Sequence, residues 1–157
     1  MKLTHTHSLA APRSTVYAAL MDPAVLQVCI EGCQKLVLSA EGVYEVELRV
    51  GTAAIKGTYR GKVLIFEPRE PESFTLKIEG KGLTGFVQST TRIELRDVDG
   101  RTEVLSEASA AVGGVIAAVG SRLIEGFAKK MTLGFFSRLE SELERRIKAA
   151  TPPAGTR

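Results

Sequence analysis

The 157-residue sequence predicts an α+β fold in which a curved antiparallel sheet of about seven strands wraps around one long C-terminal helix. The first sign is a two-residue alternation of apolar and polar side chains through the middle of the chain, which is typical of half-buried strands. The second is a series of short glycine-containing turns between these segments, as in consecutive hairpins. The third is a C-terminal stretch in which apolar residues recur three or four apart, which is typical of an amphipathic helix.

The N-terminal part is predicted to form one strand and two short helices. Residues 3–9 alternate as a strand. Pro12 is suited to the first position of a helix, and Asp22 is a good N-cap for a second helix that starts at Pro23. Two short helices are therefore expected between the first strand and the rest of the sheet.

Six further strands are predicted in the middle of the chain. Their ranges are 34–40, 43–50, 55–66, 74–80, 87–96 and 101–111. Short turns such as Asp99-Gly100 make neighbouring strands antiparallel, so the sheet has one polar and one apolar face. The predicted C-terminal helix, residues 110–150, is the only element large enough to cover the apolar face. The expected architecture is a helix-grip fold.

Composition and charge exclude several classes of function. The net charge is +3, with Lys and Arg scattered among Asp and Glu, so no nucleic-acid partner is expected. The N-terminus lacks the apolar core of an export signal, and no apolar run approaches the ~20 residues that span a bilayer. The protein is expected in the cytoplasm, with peripheral contact at the inner face of the cytoplasmic membrane. Residues 1–150 are expected to form a single domain and residues 151–157 a flexible tail.

Small residues on both predicted layers raise the question of an internal cavity. The helical stretch contains Gly120, Gly126 and Gly134, and each interior glycine destabilises a helix by about 1 kcal/mol relative to alanine. Inward positions of the facing strands are also small, namely Gly57, Gly61, Ser89 and Thr91. Either the layers pack tightly, with large neighbouring side chains filling the gap, or they enclose an apolar cavity that holds a ligand.

No catalytic or metal-binding constellation is visible in the sequence. His5 and His7 share a strand face, but a zinc site needs three or four ligands, so edge-strand histidines are the preferred interpretation. Cys29 and Cys33 are expected to be free thiols. The glycine-rich segment 80–85 lies between two strands and leads into no helix, which argues against a phosphate-binding role. No catalytic residue, metal or tightly bound cofactor is predicted.

Leu83 and Phe86 are large apolar residues at the tip of a glycine-flanked turn, where side chains are usually polar. They either tuck under the helix or form a gate that contacts a membrane or a partner protein. Both interpretations remain open.

Several segments match the motifs of one protein family in order and spacing. They are D-P-x-x-L at 22–26, C-I-E-G-C at 29–33, Gly51 followed by I-K-G-T-Y-R-G-K-V at 55–63, G-K-G-L-T-G-F at 80–86, V-G-G at 112–114, G-S-R-L-I at 120–124, K-K at 129–130 and F-F at 135–136. Together they resemble the CoxG-like family, named for the CoxG component of carbon monoxide dehydrogenase, within the START/Bet v 1-like (SRPBCC) superfamily. The sequence departs from the family pattern at Glu31, where the family has proline, and at Leu83 and Ser89, where it has small glycine-type residues.

The resemblance implies a helix-grip fold with a lipophilic cavity and a role that is not itself catalytic. It implies an accessory protein that binds a quinone or lipid and links a molybdenum hydroxylase, such as carbon monoxide dehydrogenase, to the cytoplasmic membrane and the respiratory quinone pool. The expected ligand contacts are Tyr44, Val46, Gly57, Tyr59, Gly61, Leu76, Ser89, Thr91, Ile116, Val119, Leu123, Phe127 and Met131, with Leu83 and Phe86 as gate or membrane and partner contacts. Two alternatives stay open: a cyclase- or hydrolase-type enzyme acting on an apolar substrate, and a ligand-free adaptor for enzyme recruitment or assembly.

Overall fold

The computed structural model describes residues 1–150, and the predicted tail at 151–157 lies outside the described residues. The chain begins with strand β1 (Lys2–Leu9) and helices α1 (Arg13–Met21) and α2 (Pro23–Cys29). Six strands follow: β2 (Cys33–Ala40), β3 (Val43–Val50), β4 (Gly57–Arg69), β5 (Ser73–Gly82), β6 (Gly85–Val98) and β7 (Arg101–Gly113). Short 3₁₀ helices occupy Ala53–Ile55 and Val115–Val119, and the long helix α3 spans Ser121–Ala150.

The seven strands form one antiparallel sheet in the order β1-β7-β6-β5-β4-β3-β2. Strands β2 to β7 follow one another as hairpins, so each pairs with its neighbour in sequence. Strand β1 instead pairs with β7, from Lys2 opposite Ser109 to Leu9 opposite Thr102. The predicted α+β helix-grip fold is confirmed, because α3 lies across the apolar face of this sheet.

The short helix α2 is fixed at both ends. Its N-cap is Asp22, whose carboxylate accepts a hydrogen bond from the Ala24 backbone N–H at 2.9 Å, as predicted. The same carboxylate accepts a hydrogen bond from Arg146 of α3 at 2.6 Å. At the other end, Arg138 Nε of α3 donates to the Cys29 carbonyl at 2.9 Å. These contacts hold the C-terminal half of α3 against α2.

The hydrophobic core is concentrated at the end of the molecule where α1 and α2 lie. Tyr17 of α1 meets Phe74 of β5 edge-on, with ring centroids 5.5 Å apart. Leu139 and Leu143 of α3 are buried in the same cluster. A second and much smaller cluster of buried residues, near the 3₁₀ helices, consists of Val50, Ile55 and Ile116. The N-terminal half of α3 therefore covers a less completely filled part of the sheet.

The predicted start of the long helix at residue 110 is wrong by eleven residues. Strand β7 continues to Gly113, because its backbone pairs with β6 as far as Phe86 opposite Gly113. The chain then turns at Gly114 and Gly120, whose φ values of +80° and +97° favour glycine. Only Gly126 and Gly134 of the three predicted helix glycines lie inside α3, and Gly126 has open space around its Cα.

Candidate functional site

A cavity lies between the apolar face of the sheet and α3. It consists of two adjoining chambers of ≈ 380 Å³ and ≈ 340 Å³, both partly open to solvent. The larger one, bounded by Ile55 and Ile116 of the 3₁₀ helices, is called the loop-side chamber here. The smaller one, bounded by Leu20, Leu26 and Ile30 of α1 and the α2 region, is called the helix-side chamber. Residues lining both are Leu3, Val63, Ile78, Ala108, Met131 and Thr132.

The cavity exists because central strands present small side chains beneath α3, whose position is fixed by its contacts with α2. On β7 the inward positions Ala108 and Ala110 are too short to reach α3, and Ser89 of β6 lies beside them. Gly61 of β4 has a different reason to be glycine: a Cβ there would collide with the Glu79 carbonyl oxygen of β5. The lining that remains is almost wholly apolar, which is the chemistry of a site for a lipophilic ligand.

The structure brings most of the predicted contact residues to this cavity. Those lining the loop-side chamber are Val46, Tyr59, Gly61, Ser89, Ile116, Phe127 and Met131. Those lining the helix-side chamber are Tyr44, Leu76, Thr91 and, again, Met131. Their role as ligand contacts stays a prediction.

Three predicted contacts lie outside the lining of both chambers. Leu123 is 44% exposed at the start of α3. Val119 packs against the small cluster around Ile116, and Gly57 stands at the first position of β4 with open space around it. Val119 precedes α3, which begins only at Ser121. Within α3, Ile124 rather than Leu123 lines the loop-side chamber one turn before Phe127.

Several lining residues are not among the predicted ligand contacts. On α3 they are Ile124, Ala128, Thr132, Phe135 and Phe136, and on β1 they include Leu3 and His5. Ile124, Ala128 and Phe135 lie three or four residues from Phe127 or Met131, so a wider predicted helix face would have contained them. The β1 residues carried no local signal, because only the long-range pairing of β1 with β7 brings them under the helix.

The two tyrosines of the lining use their hydroxyl groups to hold the protein together. Tyr59 Oη donates to the Ile55 carbonyl at 2.7 Å and lies 3.0 Å from Thr84 Oγ1. Tyr44 Oη donates to the Met21 carbonyl at 2.7 Å. Burial, with a smaller effect of the nearby Asp22 carboxylate, raises the pKa of Tyr44. Both residues therefore offer the cavity mainly their aromatic rings.

Two histidines of β1 stack against α3. The rings of His5 and His7 have centroids 5.7 Å apart, and they lie 5.2 Å and 4.9 Å from the ring of Phe136. His5 lines the helix-side chamber, whereas His7 Nε2 lies 3.5 Å from Glu140 Oε1. Burial, followed by the proximity of His7, lowers the pKa of His5, so its neutral form dominates at pH 7.

The comparisons with known proteins identify the family. The family model for CoxG, a subunit of carbon monoxide dehydrogenase, matches residues 6–144. The chain belongs to the CoxG family. A comparison with curated protein sequences found no match.

Solved structures agree with this CoxG fold. A conserved protein from Geobacillus kaustophilus is 33% identical, with a TM-score of 0.89 over 92% of this chain and 96% of that one. A START superfamily protein from Mycobacterium smegmatis is 10% identical, with a TM-score of 0.72 over 92% and 97% of the two chains. The ZhuI aromatase/cyclase from Streptomyces sp. R1128 is 16% identical, with a TM-score of 0.74 over 98% and 99%. At such low identities the last two show a shared fold alone.

The β5–β6 hairpin of this CoxG member carries an exposed apolar tip. Leu83 is fully exposed at the turn, and the ring of Phe86, 44% exposed, lies against Gly113. The Thr84 carbonyl accepts a hydrogen bond from the Ile116 N–H at 2.8 Å, so Val115, 71% exposed, lies close by. We call Leu83, Phe86 and Val115 the tip surface. Leu83 does not tuck under the helix, and its role as a gate or contact stays a prediction.

Other chemical features of the CoxG chain are simple. Cys29 and Cys33 are free thiols, and burial raises the pKa of both. Within residues 1–150, no three His, Cys, Asp or Glu side chains gather closely enough to hold a metal ion. No helix in the described part of the chain is both long and apolar enough to span a bilayer.

Proposed function

We propose that this protein is a non-catalytic accessory protein that carries a quinone or lipid and links a molybdenum hydroxylase, such as carbon monoxide dehydrogenase, to the cytoplasmic membrane and its quinone pool. The observation that carries this proposal is the partly open apolar cavity beneath α3. Membership of a family described as a subunit of carbon monoxide dehydrogenase supports the choice of partner.

The size and chemistry of the cavity support a lipophilic ligand. Ligand pockets in proteins are commonly about 300–1,000 Å³, and each chamber by itself reaches this range. A buried water molecule needs two to four polar partners, and the loop-side chamber offers few. An apolar molecule therefore fills this space more favourably than water does.

The tip surface supports contact with a membrane. Burying an exposed Leu or Val side chain contributes about 1.5–3 kcal/mol, so Leu83 and Val115 together favour insertion into the apolar boundary of a bilayer. Lys81 stands opposite Phe86 in the β5–β6 pairing, and Lys56 follows directly after Ile55. In the described part of the chain neither lysine forms a salt bridge, so both remain available to anionic lipid headgroups.

Native mass spectrometry before and after solvent extraction tests the carrier function. The protein is then mixed with phosphatidylcholine and phosphatidylglycerol vesicles that contain menaquinone, separated from them, and measured again. We expect one quinone or lipid per chain before extraction and renewed uptake from the vesicles. A chain that never carries or takes up either molecule contradicts the proposal.

Co-elution with a purified molybdenum hydroxylase in size-exclusion chromatography tests the partner. If the enzyme binds while no ligand is ever taken up, the ligand-free adaptor is the better description. If the protein binds neither a ligand nor the enzyme, no support remains for an accessory role.

A cyclase- or hydrolase-type enzyme is the second candidate, and the position of His5 in the cavity lining favours it. An enzyme of this kind needs an acid–base group next to its substrate, and a neutral histidine can supply one. Turnover of an apolar ester, or cyclisation of an apolar substrate, that disappears in His5→Phe would select this candidate over the carrier.

A further inference from the structure

The helix-side chamber contains polar groups that the fold does not use. His5 Nε2 is buried and has no hydrogen-bond partner among residues 1–150. The side-chain hydroxyls of Thr91 and Ser106, which line the same chamber, also form no hydrogen bond within the described chain. Thr132 differs, because its Oγ1 donates to the Ala128 carbonyl at 2.8 Å. Buried polar atoms are normally paired, so His5 Nε2 calls for an external partner, and the two hydroxyls beside it are free to share that partner.

Strand register brings these groups together. His5 of β1 stands directly opposite Ser106 of β7, so their side chains share the inward face about 4.5–5.5 Å apart at Cβ. Thr91 of β6 stands opposite Ala108, two residues along β7 from Ser106, which makes it a diagonal neighbour. An imidazole and two hydroxyls are thus grouped in a chamber whose other walls are mainly apolar.

His5 is suited to face a ligand, and His7 to support it. Phe136 packs against both imidazole rings and fixes their planes. His7 lies beside Glu140 and is absent from the lining of either chamber, whereas His5 is part of the lining. A neutral imidazole has one N–H donor and one acceptor nitrogen, so His5 suits a carbonyl or a hydroxyl oxygen equally well.

We propose that His5, Ser106 and Thr91 form a head-group subsite that binds the carbonyl or hydroxyl oxygen of an otherwise apolar ligand. This inference rests on the proposed carrier function and deepens it, because it defines the ligand as an amphiphile with a hydrogen-bonding ring or head. The hydrocarbon part then passes Ala108 and Met131, which line both chambers, into the loop-side chamber. There it ends beside Ile116, next to the tip surface.

Two probes of one carbon skeleton test the subsite. They are 2,3-dimethyl-1,4-naphthoquinone and 2,3-dimethylnaphthalene, which differ in two carbonyl oxygens. The methyl groups block addition of the free thiols Cys29 and Cys33 to the quinone ring. Isothermal titration calorimetry of the full chain gives Kd for each probe with the wild type, His5→Phe, His5→Gln and, as a matched control, His7→Phe.

We expect His5→Phe to weaken quinone binding about tenfold, which is about 1.4 kcal/mol, and to change hydrocarbon binding less than twofold. His5→Gln is expected to recover part of the loss, and His7→Phe to stay within twofold of the wild type. If His5→Phe weakens the binding of both probes equally, or weakens the binding of neither, the subsite is overturned while the carrier function stays intact. Failure of the wild type to bind either probe overturns both.

A measurement on the wild type guards against a variant that does not fold. The ¹⁵N chemical shifts of the His5 ring are expected to move when the quinone is added and to stay in place with the hydrocarbon. Unchanged His5 ring shifts in the presence of bound quinone would overturn the subsite.

Discussion

Filling the junction of the two chambers is predicted to stabilise the protein and abolish ligand uptake. Ala108 lines both chambers, and its substitution by phenylalanine directs an aromatic ring into the cavity between the sheet and α3. A dry cavity of about 150 Å³ already holds a benzene molecule, and each chamber is larger than that. The ring is therefore accommodated without displacing α3.

The expected increase in the free energy of unfolding of Ala108→Phe follows from the area that the new side chain buries. Full burial of a phenylalanine side chain contributes about 1.5–3 kcal/mol, and lost side-chain freedom offsets about 1 kcal/mol of that. The net gain of about 1 kcal/mol corresponds to a Tm increase of about 2–4 °C for a chain of this length. Differential scanning calorimetry of ligand-free Ala108→Phe measures it, and the vesicle experiment measures quinone uptake.

Ala111→Phe is the matched control, because residue 111 is exposed on the same strand. Ala111→Phe is expected to leave quinone uptake unchanged. Its Tm is expected to stay within about 1–2 °C of the wild type, which is the usual effect of a surface substitution. The reasoning is refuted if Ala108→Phe lowers Tm, as overpacking of a filled core does, or if quinone uptake persists unchanged.

Three further predictions concern the tip surface, the core and the N-cap of α2. Leu83→Asp is expected to reduce binding to anionic vesicles in a sedimentation assay with no loss of stability, whereas Val98→Asp, at the β6–β7 turn, leaves vesicle binding unchanged. Leu139→Ala is expected to lower the free energy of unfolding, measured with urea, by about 2–5 kcal/mol. The control Leu133→Ala, at an exposed position of α3, is expected to lower it by less than about 0.5 kcal/mol. Equal losses of unfolding free energy would contradict the packing described. The hydrogen bond from Arg146 of α3 lowers the pKa of Asp22 in the folded protein below its unfolded value of 3.8. The Asp22 carboxylate therefore stabilises the fold above pH 3.8, and this stabilisation is lost as the pH falls from there through the lower pKa of the folded state. Asp22→Asn is therefore expected to lower the free energy of unfolding at pH 7, as measured by urea unfolding. At pH 3 the difference in unfolding free energy between variant and wild type is expected to be smaller. A difference that does not depend on pH would count against this linkage.

Local patterns determined the sheet because strand burial alternates residue by residue. Residues 43–50 alternate without interruption, and β3 has these bounds in the structure. Asp22-Pro23 likewise specified the start of α2 through capping chemistry that involves only neighbouring residues. The family motifs were readable for a similar reason, since they are short segments at fixed spacing.

The start of the long helix depended on tertiary contacts. The run from Ala110 to Val119 is apolar at spacings that fit a strand, a 3₁₀ helix or an α-helix. Backbone pairing with β6 decides in favour of the strand as far as Gly113, and positive φ at two glycines accommodates the turns that follow. The later start of α3 explains why Val119 is not part of the helix, whereas the packing of α3 on the sheet decides that Ile124 lines the cavity and Leu123 does not.

The sequence by itself determined the fold class, the family and the small residues from which the cavity is built. The tertiary structure decided where that cavity lies, which face of α3 closes it, and that His5 belongs to its lining. The physical reason is distance along the chain: hairpins and caps are set by neighbours, whereas β1 meets β7 across about a hundred residues. The polar subsite arises only from that long-range pairing.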